Sequence, residues 1–441
     1  MFRETIFPSY VRITRASQKA SRRTSERGKL IQTSAIICAA IGVDTDLTLT
    51  YQLFAFLLCL IIVSRLSLRI QPPKISVTRR LPKYATAGQA FEYSINVANE
   101  GNHTERDLKL IDNPRIVSPD FKQFQQEREP GEETRNAYDR WIGFHRFVWL
   151  QRRNTGIVIK QGNVPEISLK ATADAMMEAL PLRRGIVNFT STTLLSPDPF
   201  GLNYAIQNFS QHEQLMVLPK RYPVSTNFEL PGGRHFQPGG INSTWSIGES
   251  EEFVSLRDYR DGDSMRKVHW PSTAKREKPV VREFQDEFFV RQALVLDTNT
   301  QDSEILEETI SVAASLLLQT ETSDGLMDLI YASNKTQIVT AGRGYAHVNH
   351  QLEALATLSK YEEATDRLHE TLSAHRKLIS GCILVLPGWS EAQQKLVKSL
   401  SSAGIPVALF ILTRDENELT NTPARANILP LTEVAERLAS L

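Results

Sequence analysis

The chain has 441 residues, 41% of them apolar and 23% charged, with 22 Gly and 21 Pro. That length divides into two or three folded units, and that composition excludes collagen-like, disordered and disulfide-scaffold chains. Lys and Arg number 51 against 50 Asp and Glu, so no chain-wide positive field exists to hold a nucleic-acid backbone, and no nucleic-acid partner is expected.

Residues 1–29 are a basic tail, with Arg3, Arg12, Arg15, Lys19, Arg22, Arg23, Arg27 and Lys29 set against Glu4 and Glu26. Two apolar runs follow, residues 30–43 and 47–63, separated only by Asp44-Thr45-Asp46. Extended to position 68, they approach the ~20 residues that a spanning helix needs, and residues 30–68 read as a transmembrane helical hairpin. Arg65, Arg69, Lys74, Arg79 and Arg80 make the far flank basic too. By the positive-inside rule both ends, and the bulk of the chain, lie on the cytoplasmic side of a cell inner membrane. A cleaved signal peptide is the rival reading, but cleavage would still leave the second run as a stop-transfer helix. Cys38, Cys59 and Cys382 form no CxxC pair, so neither a zinc site nor a disulfide framework is indicated.

Residues 69–217 change to period two. Phe91, Tyr93, Ile95 and Val97 alternate with polar residues, which is the pattern of a half-buried strand. Further strands are expected at 107–111, 156–160, 166–171 and 185–193, together a β-sandwich. Residues 113–133 are polar and Pro-bearing, hence a loop or insertion. Residues 140–153 interleave Trp141, Phe144, Phe147 and Trp149 with Arg140, Arg146, Arg152 and Arg153. A membrane interface or single-stranded nucleic acid would suit that mixture; a strand packing its aromatic face into the sandwich explains it more cheaply.

Two motifs come next. Arg184-Gly185 is followed by Asp198-Pro199-Phe200-Gly201-Leu202, in which Asp198 can accept from the backbone downstream, Pro199 fixes φ and Gly201 allows positive φ: a rigid turn after a strand. Residues 218–290 hold a linker, with Pro231-Gly232-Gly233 and Pro238-Gly239-Gly240, and then a block dense in charge. In that block Asp261-Gly262-Asp263 is a tight turn flanked by Arg257, Arg260 and Arg266, planar forks that suit carboxylate or phosphate, with Asp258, Asp261 and Asp263 close enough to be internal partners. The expected role is an ion-paired domain junction. His269 lies near Asp263 in sequence, but no nucleophile or metal partner accompanies it, and Trp270 is expected to pack.

Leu256, Arg257, Tyr259, Gly262, Asp263, Arg266, His269, Trp270, Ala274 and Lys275, after the Arg-Gly strand and the Asp-Pro-Phe-Gly-Leu turn, resemble the bacterial and archaeal domain-of-unknown-function family fifty-eight. The resemblance implies a membrane-anchored protein with a β-sandwich and a C-terminal von Willebrand factor A-like domain, accompanying MoxR-type AAA+ ATPases and other membrane proteins. It implies no established activity.

In residues 291–441, strands at 292–297, 326–332, 337–340, 382–386 and 406–412 alternate with helical stretches at 304–319, 350–359, 366–377 and 391–402, an α/β unit with a mainly parallel sheet. Its ligands would bind at the carboxyl ends of the strands. A von Willebrand factor A-like domain holds a divalent cation there through Asp-x-Ser-x-Ser. This chain has Asp297, Asn299 and Gln301, with Pro387-Gly388 where a later Asp is usual, so the metal site is degenerate. No cofactor is expected; Mg²⁺ on amide oxygens and waters is the alternative. Asp302-Ser303 reads as a helix cap, and Gly342-Arg343-Gly344 lacks the Lys-Ser/Thr of a phosphate loop. The expectation is a non-enzymatic, membrane-anchored interaction or assembly protein working with a MoxR-type ATPase. The alternative is a Mg²⁺-dependent binding or hydrolytic protein using Asp297.

Overall fold

The computed structural model describes all residues except 1, 42–47, 71–72, 226–236, 239–252, 277, 285–287, 290, 321–325, 334–335, 340–344, 376–378 and 417–418. The turn at Asp44-Thr45-Asp46, the linker glycines Gly232, Gly233, Gly239 and Gly240, and Gly342-Arg343-Gly344 therefore lie outside the described residues. Two compact units divide the chain, Met1–Lys220 and Arg221–Leu441.

The first unit opens with three helices, α1 (Phe2–Arg23), α2 (Glu26–Ile41) and α3 (Thr48–Ile70). Within α3 the stretch Leu49–Leu68 is long and apolar enough to cross a membrane, and it is almost entirely uncovered by the rest of the chain. α2 packs beside it, but its 16 residues rise only about 24 Å, less than the ~30 Å of a bilayer core.

Nine strands follow in the first unit: β1 (Ile75–Arg80), β2 (Tyr84–Thr86), β3 (Phe91–Asn99), β4 (Lys109–Pro114), β5 (Ile157–Ile159), β6 (Gly162–Asn163), β7 (Thr172–Pro181), β8 (Gly185–Pro197) and β9 (Tyr204–Leu218). They form a four-stranded sheet, β1-β3-β7-β5, and a five-stranded one, β2-β9-β8-β4-β6. Alternate residues of both sheets, among them Tyr93, Ile95, Val97, Met177, Phe189, Leu194 and Leu215, meet in a single core. This is how period-two strands bury one face each. The ion pair of Arg79 and Asp112 is fully enclosed. Asp112 accepts from Arg79 Nε at 2.8 Å and Nη2 at 2.5 Å, from Tyr93 Oη at 2.6 Å and from Thr192 Oγ1 at 3.2 Å. Burial first, and then the Asp112 charge, push the Tyr93 phenol well above its ordinary pKa.

Three expectations are corrected in this unit. Residues 140–153 are not a strand: they lie in α5 (Ala137–Ile142) and α6 (Phe144–Thr155). Phe147 and Leu150 recur at helical spacing and are buried, not against the sheets but with Tyr10 of α1 and Phe124 of α4 (Phe121–Gln126). Gly156, at φ 78°, ends α6 in the left-handed conformation that glycine adopts without strain. In the same cluster Glu132 and Arg146 form a buried ion pair, and the guanidinium's hydrogen bonds hold the Glu132 carboxyl below its usual range. Residues 166–171 are a loop with one isolated bridge, Glu105 to Ile167, and Lys170 at φ 54°. The strand expected at 107–111 starts two residues later and runs on to Pro114, because Asp107 has φ 53°.

The second unit begins with two short antiparallel pairs: β10 (Gln237–Pro238) with β13 (Phe288–Phe289), and β11 (Phe253–Asp258) with β12 (Val280–Phe284). Between β11 and β12 lie a 3₁₀ turn, Met265–Lys267, and α7 (Trp270–Arg276). Then β14 (Arg291–Leu296), α8 (Ser303–Thr320), β15 (Leu326–Ala332), β16 (Thr336–Val339), α9 (Tyr345–Thr357), α10 (Ala364–His375), β17 (Gly381–Leu386), α11 (Glu391–Ser402), β18 (Val407–Thr413), β19 (Asn427–Pro430) and α12 (Val434–Ala439) make the α/β part. The sheet order is β16-β15-β14-β17-β18-β19, parallel except for the edge strand β16. β17 is buried at every residue, as a central parallel strand covered on both faces must be. Strand order reverses between β14 and β17, and this switch point puts the residues just after both strands at the same edge of the sheet.

Candidate functional site

Asp297 follows β14 at the switch point and is fully buried. Its Oδ2 accepts from Thr365 Oγ1 of α10 at 2.8 Å and from Gln393 Nε2 of α11 at 2.9 Å, and its Oδ1 accepts from the Asn299 backbone N–H at 3.0 Å. Asn299 also donates through Nδ2 to Thr365 Oγ1 at 3.3 Å. Gln393 belongs to a capping box: its Oε1 accepts from the Ser390 N–H at 2.7 Å, while Ser390 caps the start of α11. That bond fixes the orientation of the amide, because with Oε1 on the backbone only Nε2 can face the carboxylate. Gln301 does not join the group; it is exposed and bonds Glu362 and Lys360. Asp302 caps α8 through the Glu304 N–H at 2.9 Å, as expected, and pairs with Arg414.

This donor set suits an anion and does not fit a divalent cation. Both Asp297 oxygens already face N–H or O–H hydrogens, and the side-chain amide turns its positive end, not its oxygen, towards the carboxylate. Among the described residues no group of three or more His, Cys, Asp or Glu could hold a metal ion. Cys382, in the core of β17, is pushed up to about 12 by burial and is no nucleophile. Gln393 and Thr365 were not singled out in the sequence; Ser390-x-x-Gln393 ahead of an apolar-periodic helix is the signal that could have found the first.

The charge-dense block is one folded hairpin. Arg257 on β11 holds Asp263 bidentately, Nη1 to Oδ2 at 2.6 Å and Nη2 to Oδ1 at 2.7 Å, and the Arg260 N–H donates to the same carboxylate at 2.9 Å. Gly262, at φ 105°, makes the turn between them. Tyr259 continues the β11 pairing, its N–H bonding the Pro279 carbonyl at 2.9 Å. His269 does not meet Asp263. Its Nδ1 contacts Ser272 Oγ at 2.7 Å at the start of α7, and Thr273 Oγ1 links the His269 carbonyl to the Val280 N–H. Trp270, expected to pack, is 62% exposed, with Met265 at 61%. Arg260, Arg266 and Lys275 are exposed as well, as are Asp258 and Asp261, so the block presents charges of both signs and two large apolar side chains to solvent.

The Arg257 hydrogen bonds, and then that of the Arg260 N–H, hold Asp263 down to about 2. An unfolded Asp titrates near ~3.9, so the pair's contribution is complete above that pH and is lost as pH falls through about 2. Asp263→Asn is expected to open this turn without melting the sheet. Hydrogen exchange at pH 6 should show the Tyr259 and Asp263 amides losing protection while those of β14 and β17 keep theirs.

The Asp198 turn does more than reverse the chain. Asp198 Oδ1 accepts from the N–H of Phe200 at 2.7 Å, and Oδ2 from that of Asn203 at 2.7 Å. Oδ2 also takes the hydroxyl of Ser64, a buried residue of α3, and Asn203 Nδ2 donates to Ser64 Oγ at 2.6 Å. α2 is held by the same turn. Ser25 bonds the carbonyls of Leu202 and Gly201, at 2.9 Å and 2.7 Å. A Cβ on Gly28 would stand 2.1 Å from the Leu202 carbonyl oxygen, so only glycine permits this approach. Arg184 and Gly185, at the start of β8, lie at the other end of that strand and take no part in the grip.

Residues 255–406 match the family described as "Protein of unknown function DUF58". "Uncharacterized protein YeaD" of Bacillus subtilis (strain 168) is 26% identical over 175 residues, 39% of this chain and 42% of the relative, so the match spans less than half of that protein's length. Among solved structures, the CARDB domain of a Pyrococcus furiosus protein is 11% identical over 33% of this chain and 89% of that chain, with a TM-score of 0.17. A PapD-like domain of human CEP192 is 11% identical over 34% of this chain and 90% of that chain, also with a TM-score of 0.17. At these scores neither likeness carries an argument.

Proposed function

We propose that this chain, whose residues 255–406 are a DUF58 region, is a membrane-anchored interaction protein without catalytic activity. In this reading its C-terminal unit is a von Willebrand factor A-like docking domain for a MoxR-type AAA+ ATPase, and α2 and α3 form a hairpin in a cell inner membrane with the bulk of the chain in the cytoplasm. One observation carries the reading: both oxygens of the acid at the switch point, where an α/β unit places its ligand, are engaged by donors from Thr365, Gln393 and Asn299. Three of the roughly four acceptor positions of this carboxylate are taken, and every group turned towards it is a hydrogen-bond donor rather than an oxygen ligand. The sheet order, with its single antiparallel edge strand, supports the A-like assignment. The basic flanks of the apolar segments and the length of α3 support the anchoring.

The surface assigned to the partner is the exposed face of the β11–β12 hairpin with Arg266, Trp270 and Lys275. Affinity-tagged chain, cross-linked in native membranes, is expected to recover an AAA+ ATPase. The double reversal Arg266→Glu with Lys275→Glu should reduce that recovery at least fivefold while leaving the amount of membrane-bound chain unchanged. Equal recovery by the reversal variant would remove the assignment.

A further inference from the structure

We propose that the Asp198–Leu202 turn is a bilayer-interface contact, with Phe200 seated in the headgroup layer of the membrane that α3 crosses. The inference rests on the reading of α3 as a membrane span. Its height relative to the bilayer is fixed by hydrogen bonds: Ser64 lies inside the span Leu49–Leu68 and is bonded to Asp198 and Asn203. Ser64 is four residues from the end of that span, about 6 Å along a helix. The turn bonded to it is therefore held against the last turn of the apolar segment, where hydrocarbon gives way to headgroups. α2 is held at its matching end, since Gly28 and Ser25 meet Leu202 and Gly201 just ahead of the apolar run that starts at Leu30.

At that level the turn leaves Phe200 47% exposed beside the buried Ser64, Asp198 and Asn203. A large apolar ring such as Phe buries itself at the boundary between headgroups and acyl chains, as on the apolar face of an interfacial helix. Arg27 and Arg65, both exposed near the same ends of α2 and α3, supply charge complementary to anionic headgroups. The occupant that fits both features is the lipid surface itself. The Asp-Pro-Phe-Gly-Leu turn thereby fixes how deeply the helices sit relative to the two-sheet unit.

The test uses the full chain carrying Phe200→Trp, reconstituted in phosphatidylglycerol-containing vesicles whose acyl chains are brominated either near the headgroup or near the bilayer centre. The emission added over the unsubstituted chain is expected to fall at least twofold with the shallow label and clearly less with the deep one. Cys59, near the middle of the span, is treated in parallel with a membrane-impermeant maleimide. Cys59 protected until detergent is added, with no bromine quenching at position 200, would overturn the interface contact while leaving the span intact. A blue-shifted but unquenched Trp would mean that protein covers the position, and would overturn it equally. Cys59 reacting in intact vesicles would remove the span, and the proposal with it.

Discussion

Asp112→Ala is expected to destabilise the two-sheet unit by about 3–5 kcal/mol, the cost of leaving a buried charge without its partner. Arg79 and Asp112 are wholly enclosed, and the Arg79 guanidinium reaches Asp112, Thr192 and the Gln211 carbonyl. Removing the carboxylate leaves the guanidinium with only the longer, partly exposed ion pair to Glu213 at 3.6 Å, and the Tyr93 hydroxyl without its acceptor, in a low-dielectric core. The charge itself is not what the core needs, because buried pairs replaced by apolar residues of like volume are often neutral or stabilising. Arg79→Met with Asp112→Leu should therefore recover most of the loss. Thermal unfolding of the detergent-solubilised chain, followed through the transition of this unit, measures both variants. A single substitution that shifts nothing would mean that water reaches the pair.

Gln393→Glu has the second large effect expected. It keeps the acceptor for the Ser390 N–H but turns a carboxylate onto Asp297, whose Oδ2 stands 2.9 Å from the present amide nitrogen. Two buried carboxylates at that distance do not both ionise, so one titrates far above its ordinary range. The penalty is on the order of 3–5 kcal/mol, as for any uncompensated buried charge. Its sign with pH follows: the raised folded-state pKa makes the variant lose stability as pH climbs above the unfolded carboxyl value of about 4. The same variant supplies what the unsubstituted chain lacks, two carboxylates and the Thr365 hydroxyl as oxygen ligands, so Mg²⁺ or Mn²⁺ should return part of the lost stability. Gln393→Leu, which makes no such site, should be destabilised without any response to the cation.

Much of this architecture was legible in the sequence where one face or one run carries the information. Phe91, Tyr93, Ile95 and Val97 gave β3 through their alternation, and the apolar runs of β14 and β17 gave the parallel sheet. The stretch from Trp141 to Arg153 misled because aromatic residues favour strands in general, whereas the spacing of Phe144, Phe147 and Leu150 is helical. The turn at Asp198 was read correctly as a local device. Its grip on α2 and α3 was not visible, because Ser25, Ser64 and Asn203 are far apart in the chain and each is unremarkable alone. The same holds for Arg79 and Asp112, and for Thr365 and Gln393 about Asp297. Side-chain networks assembled across elements leave no periodic signature, and they are the parts that define the candidate site.

The claim at the centre is that the C-terminal unit docks other macromolecules with its switch-point acid closed by hydrogen bonds rather than by an ion. The most direct measurement is the melting temperature of the purified full-length chain, stripped with chelator and then titrated with Mg²⁺ and Mn²⁺ into the millimolar range, beside the Gln393→Glu variant. The account predicts a flat response in the unsubstituted chain and a rising one in the variant. A cation-dependent rise in the unsubstituted chain, lost in Asp297→Ala, would contradict it.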